Sequence, residues 1–223
     1  MQKSESFVSA RALNEPVDRA VASLASGRSL TVRILDEKPD TRRPAIVREA
    51  TRLFSRRGID ATSMRDIADA AGVREAAIYR HFAGKDDLAR GIFLSWYGWY
   101  CEKLQSIVIG PAGTLDKLRD IVRHEFSVVT KYSEAFVYFC ENETRFVRSL
   151  PSEIVSARHL FITFIKAGQA AGEIRAGNPA LLADMLSGAL CAVALTWLGT
   201  GRQKKLSAQV VEVVEGCWRM IKA

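Results

Sequence analysis

Metal-binding residues are scarce and scattered. Four cysteines (Cys101, Cys140, Cys191, Cys217) and three histidines (His81, His124, His159) are spread over 223 residues. None has the spacing that gathers a metal, so no metal is expected. Each cysteine falls within an apolar helical pattern, which predicts buried reduced thiols. There is no glycine-rich phosphate loop and no nucleophile elbow. The stretch GTGRQKK from Gly199 lacks phosphate-loop spacing and reads as a helix end with a solvated basic turn. These absences argue against an enzyme, and no cofactor is expected. The first ten residues are polar and no apolar run follows them, so a secretory signal is not expected and a cytoplasmic location is. Strand-like alternation is confined to Leu30–Leu35 (LTVRIL), and a lone strand has nothing to pair with.

What remains is apolar, helical in period and basic. An apolar content of 48% excludes a wholly disordered chain. The net charge of +7 suits a polyanionic partner without demanding one. Its distribution is more telling: residues 41–85 hold ten Lys/Arg against five Asp/Glu.

Within that segment, DATSMRDIADAAGVREAAIYRHFAGK (60–85) reads as two short helices joined by a tight turn. Ser63 and Asp66 have capping-box spacing, and Met64, Ile67, Ala68 and Ala71 share one face. Gly72 stands where the first helix must stop. A second helix from about Arg74 turns Val73, Ile78 and Phe82 inward and offers Arg74, Glu75, Ala76, Ala77, Tyr79 and Arg80 outward. Small alanines permit close approach to a groove, and their methyls can touch a thymine methyl. Arginine donates to base edges or phosphates, and Tyr79 and Lys85 to phosphates. A structural helical hairpin with a solvated charged face explains the same pattern. Upstream, Asp40 or Thr41 caps a bracing helix that carries Pro44 in its first turn, buries Ile46, Ala50, Leu53 and Phe54, and ends at Gly58.

The combination Ile46…Ala50…Leu53-Phe54…Gly58…Thr62-Ser63-Met64…Ile67-Ala68…Ala71-Gly72-Val73…Ile78-Tyr79…His81-Phe82…Lys85…Leu88 closely resembles the N-terminal domain of the tetracycline-repressor-like (TetR) family. The resemblance implies an all-α chain: a three-helix helix-turn-helix DNA-binding domain at 41–90 and a larger helical ligand-binding and dimerisation domain at 91–223. Residues 1–40 are an extension outside the resemblance. They hold an expected short helix at 16–25; Arg28, Arg33, Arg42 and Arg43 are candidates for a supplementary basic arm, and a flexible leader is the favoured alternative. The resemblance also implies that Arg65, Glu75, Ala76, Ala77, Arg80 and His81 face DNA. Thr62, Tyr79 and Lys85 would hold phosphates, with Ser63 and Arg74 beside them. Glu75 departs from the small or polar residue usual at its position, and can accept from a cytosine amine or pair with Arg74.

Beyond Lys85 a long helix is expected to about Ile107, carrying Phe93, Trp96, Tyr97, Trp99 and Tyr100. A break at Gly110–Gly113 precedes a helix from Thr114 that buries Leu115, Leu118, Val122, Phe126 and Val129. Further helices are expected from Ser133 (Phe136, Tyr138, Phe139, Cys140), from Pro151 to Gly172 (Ile154, Ala157, Phe161, Phe164, Ile165) and from Asn178–Pro179. By the resemblance this region encloses a ligand pocket, for which Trp96, Trp99, Tyr100, Phe126, Phe139, Phe161 and Phe164 are candidates. His124, Glu125, Glu141, Asn142, Glu143 and Arg145 are polar groups whose direction the pattern leaves open. The run ALLADMLSGALCAVALTWL approaches the length of a membrane span. Asp184 and the small Gly188, Ala189 and Ala192 favour protein packing instead. The resemblance makes the last two helices a dimer interface, with Leu186, Ala189, Val193, Trp197, Val210, Val214 and Trp218 as candidates. The expected function is a homodimeric transcriptional regulator, a repressor released from a near-palindromic double-stranded DNA site by a small, largely apolar molecule. A DNA-bound adaptor of the same fold without an effector is the alternative.

Overall fold

The computed structural model describes residues 42–201 and 205–223. The expected helix at 16–25, the segment 30–35, Arg28, Arg33, the caps Asp40 and Thr41, and residues 202–204 lie outside the described residues. Nine α-helices and no strand occur among the described residues, and the one β-contact is an isolated bridge between Ile174 and Lys222. The all-α expectation holds.

Helix α1 (Arg42–Arg57) buries Ile46, Val47, Ala50, Leu53 and Phe54 and stops at Gly58, whose φ of 79° suits glycine. Helix α2 (Met64–Ala71) opens with the predicted capping box: the Ser63 hydroxyl accepts from Asp66 N–H while the Asp66 carboxylate accepts from Ser63 N–H. The Ser63 hydroxyl also donates to that carboxylate and, with the backbone N–H, holds it below the usual aspartate range. Gly72, left-handed at φ 65°, turns the chain. Helix α3 (Glu75–Tyr79) is shorter than expected: Arg74 is its extended N-cap, and Phe82 reaches the core from beyond its end. Ile67 and Ile78 are fully buried where α2 and α3 meet α1.

Helix α4 (Lys85–Ile109) runs 25 residues, about 37 Å at 1.5 Å per residue. The expected domain boundary at 90/91 therefore falls inside it. Leu88, Ala89 and Ile92 pack under the N-terminal helices, and Phe93, Trp96, Tyr97 and Leu104 are buried further along. Around α4 gather α5 (Thr114–Lys131), α6 (Ser133–Phe146) and α7 (Ala157–Ala170). Leu115 was expected inside, yet it lies at the outer edge of α5 and is 36% exposed. Nor does Pro151 open a helix. Its carbonyl accepts from Ile154 N–H in a turn, and α7 starts only where the Ser156 hydroxyl caps His159 N–H.

Helices α8 (Pro179–Gly199) and α9 (Val210–Ile221) complete the chain. Asn178 Oδ1 caps α8 by accepting from the N–H groups of Ala180 and Leu181. Gly168 lets α7 close on the following turn, since a Cβ there would fall 2.4 Å from Ile174 Cδ1. Helix α8 is long and apolar enough to cross a membrane, and 33% of its most apolar window is buried in the chain. Its exposed residues include Leu181, Met185, Gly188, Ala192 and Leu195, which recur at heptad spacing along one stripe.

Candidate nucleic-acid interface and effector cavity

The N-terminal helices present a compact basic face. Ser63, Arg65, Arg74, Glu75, Ala76, Tyr79, Arg80 and His81 are all exposed, with Tyr79 at 51% despite its aromatic ring. Lys85 is half-buried at the start of α4, where its ammonium donates to the Asp60 carbonyl at 3.1 Å. That contact uses one of its three donors. Two candidates are not offered at this surface. Thr62 is 1% exposed and its hydroxyl donates to the Gly58 carbonyl, closing the end of α1. Ala77 is 7% exposed, because it lies beside Ile78 on the buried side of this short helix.

A joint of six contacts fixes this face to the rest of the chain. The rings of Phe54 and Tyr138 stack at 5.9 Å, and the Tyr138 hydroxyl donates to the Ala89 carbonyl at 2.7 Å. Arg145 on α6 pairs with Asp86 at 3.0 Å and with Asp60 at 3.6 Å. Arg56 pairs with Glu134 at 3.2 Å, and Arg90 donates to the Ser149 carbonyl at 2.9 Å.

The other side of α6 lines a cavity of about 360 Å³ between α4, α5, α6, α7 and α8. Tyr100, Phe139 and Phe161, three of the candidate aromatics, stand in its wall. Trp96 reaches only a small apolar recess beside Tyr100 and Phe139. Phe126 and Phe164 are buried in the core, and Trp99 packs edge-on against Trp96 and Tyr132. Equal hydropathy gives no signal of whether a ring faces packing or a void, which is why the sequence could not separate these residues.

The cavity is more polar than its aromatic content suggests. Its wall includes Glu125, Glu143, Cys140, Cys191, Arg158 and Asp184. Burial pushes the Glu125 carboxyl up to about 7, against a hydrogen bond donated by Tyr100. Burial also raises Glu143 and lifts Tyr100 well above its ordinary value, helped by the neighbouring Glu125. His124 stacks on Tyr100 at 5.2 Å and is held down to about 4 by burial, its Nε2 having no partner among the described residues. Arg158 and Asp184 form a bidentate pair at 2.8 and 2.9 Å across α7 and α8. The Cys140 and Cys191 sulfurs lie 3.9 Å apart. The hydrogen bond between them lowers Cys191 and raises Cys140. All four cysteines are free; Cys101 and Cys217 are buried as expected, whereas Cys140 and Cys191 are only partly so because they border the cavity. No group of three or more potential metal ligands occurs among the described residues.

Of the interface candidates, Leu186 and Val214 are spent in the chain's own core at 0% and 5% exposure. Ala189, Val193, Trp197, Val210 and Trp218 are half-buried. The apolar side chains left most open are instead Leu181, Met185, Leu195 and Val211.

Residues 46–92 match the family model described as bacterial regulatory proteins, tetR family. Over 169 residues the chain is 30% identical to the HTH-type transcriptional repressor KstR2 of Rhodococcus jostii (strain RHA1), covering 72% of this chain and 81% of that one. The chain belongs to the TetR family. Its fold is shared by the ketosteroid transcriptional regulator KstR2 of Mycobacterium tuberculosis, with a TM-score of 0.70 at 20% identity over 83% of this chain and 97% of that one. It is shared too by the regulator FadR of Bacillus subtilis, solved in complex with stearoyl-CoA, with a TM-score of 0.65 at 19% identity over 78% and 96% of the two chains. This TetR-family chain is a DNA-binding transcriptional regulator and not an enzyme.

The sequence reading missed the joint, which links residues about 50 to 90 positions apart, and it left open the inward direction of Glu125 and Glu143. A carboxylate inside an otherwise apolar helical face was the available signal for Glu125.

Proposed function

We propose that this TetR-family regulator is a homodimeric repressor whose helix α3 enters the major groove of a near-palindromic operator, and which a small molecule in the α4–α8 cavity releases. The domains act as a reading head at 41–90 and a ligand-binding and dimerising body at 91–223. The observation that carries the reading is the double role of α6. Phe139, Cys140 and Glu143 line the cavity, while Tyr138 and Arg145 on the same helix grip the head. A ligand that displaces α6 therefore acts on the residues that orient α3. Release requires the ligand to bind the non-DNA conformation more tightly, since only differential affinity shifts the equilibrium.

An adaptor of the same fold needs no cavity, and the half-open cavity beside Tyr100 favours the effector reading. The regulator solved with stearoyl-CoA supports a small-molecule site in the helical body. The exposed stripe on α8, with Val211 on α9, suits a second copy of the chain, whose two-fold axis would impose symmetry on the DNA site.

Selection of bound fragments from a genomic DNA library by the purified chain tests this. The expected result is enrichment of a two-fold symmetric site with half-sites about one helical turn apart. Enrichment of single half-sites alone would reject the dimer, and enrichment of none would reject sequence reading.

A further inference from the structure

Among the described residues, the cavity wall carries more carboxyl groups than cations. Three carboxylates, Glu125, Glu143 and Asp184, and one cation, Arg158, stand in its wall. Arg158 is already committed to Asp184 through two hydrogen bonds. Neither Glu125 nor Glu143 has a Lys or Arg within salt-bridge distance among the described residues. Glu125 is 8% exposed and has the Tyr100 phenol as its donor. Apart from Ser187 and the two cysteines, the remaining wall is aromatic and aliphatic, with Phe136, Phe139 and Phe161 beside the carboxylates. An unbalanced carboxylate away from water is costly unless it is protonated or meets a cation. Aromatic faces attract the same kind of partner through their quadrupoles.

We propose that the effector is a hydrophobic organic cation, an amine or amidine on an aryl or alkyl body, whose charged head lies between Glu125 and Glu143 and whose body lies against Phe139 and Phe161. The inference rests on the effector reading of this cavity and specifies its chemistry. An ammonium supplies the cation that neither carboxylate has within reach, and its apolar body replaces water against the rings. Burial keeps Glu125 readily protonated when no cation is present, so the empty site need not carry the full charge. The same wall disfavours an anionic head at this position, because Arg158 is not free to receive it.

The test uses the full chain and three probes with one body and different heads: 4-phenylbutylamine, 4-phenylbutanol and 4-phenylbutyrate. Binding is followed by titration calorimetry. The amine is expected to bind at least about tenfold more tightly than the alcohol, as charge-assisted hydrogen bonds exceed neutral ones, with the acid weakest. Glu125→Gln and Glu143→Gln keep the shape of the wall, and each should reduce the preference for the amine while leaving the alcohol unchanged. Phe161→Trp, which fills the cavity, should weaken all three probes. If alcohol or acid binds as well as the amine and Phe161→Trp still weakens them, the cation assignment falls and the cavity reading stands. If no probe binds at millimolar concentration, or Phe161→Trp changes nothing, both fall.

Discussion

The Tyr138 hydroxyl on α6 donates to the Ala89 carbonyl on α4 across 2.7 Å, in a site closed to solvent. Its ring also stacks on Phe54 of α1, so one side chain touches the bracing helix, the long helix and the cavity helix. Tyr138→Phe keeps the stack and removes the donor. The expected cost is about 1 kcal/mol of stability, read as a lower midpoint in urea with an unchanged slope. In the free state DNA affinity should change little, whereas the loss of affinity caused by effector should shrink. An effector response equal to that of the parent protein would exclude this hydroxyl from the transmission path.

Arg74 and Tyr79 should separate base reading from phosphate holding. Arg74 caps α3 with an extended backbone, and Tyr79 projects from the far end of the helix. Tyr79→Ala should weaken binding to operator and scrambled duplex by similar factors. Arg74→Ala should reduce the preference between them, by about 1–3 kcal/mol for a base-edge contact. Fluorescence anisotropy on both duplexes gives the two ratios, and equal ratios for the two variants would remove Arg74 from base reading.

Glu125 makes stability depend on pH. Its folded pKa, about 7, lies above the ordinary value of 4.5. Its stabilising contribution is therefore complete below pH 4.5 and is lost as pH rises through 7, on the order of 3 kcal/mol in all. His124 works in the opposite sense: its pKa is depressed to about 4, so its contribution is present above 6.5 and lost as pH falls through 4. The difference in melting temperature between Glu125→Gln and the parent isolates the first effect. It should move in favour of the variant from pH 4.5 to 7 and level off above. A difference that is flat over that window would show that Glu125 ionises normally.

The open stripe of α8 gives a test of self-association. Leu195 and Val211 are 42% and 70% exposed, so a charge at either position costs the isolated chain little. Leu195→Glu and Val211→Glu should each convert dimer to monomer in sedimentation velocity and leave helical circular dichroism intact. Two variants that sediment as the parent does would move the interface elsewhere.

The head was legible because its signals are local. Capping by Ser63 and Asp66, the left-handed turn at Gly72 and the inward Ile67 and Ile78 each follow from near neighbours in the sequence. The body was legible as helices but not as a site. Phe126 and Phe139 have the same side chain on neighbouring helices, yet one fills the core and the other borders a cavity, and only packing decides which. Pro151 misled for a related reason. A proline fits a helix's first turn, but Ser156 supplies the cap that starts α7, six residues before the Ile162–Phe164 stretch. Leu186 is fully buried in its own chain, and an all-apolar helix does not reveal from sequence which side that chain covers.

Helix α3 has only five residues, far too few to persist outside a folded context. Its helical state is an outcome of burying Ile78 and Phe82. The surface proposed to meet bases is thus a population property: a molecule either has it whole or lacks it. A packing change far from any DNA-facing atom, such as Ile67→Ala, lowers apparent affinity by reducing the share of competent molecules, in proportion to that share. Sequence preference among the molecules that still bind would be preserved. Weakened binding with intact preference is therefore the mark of a damaged head, and it distinguishes such variants from those that alter reading itself.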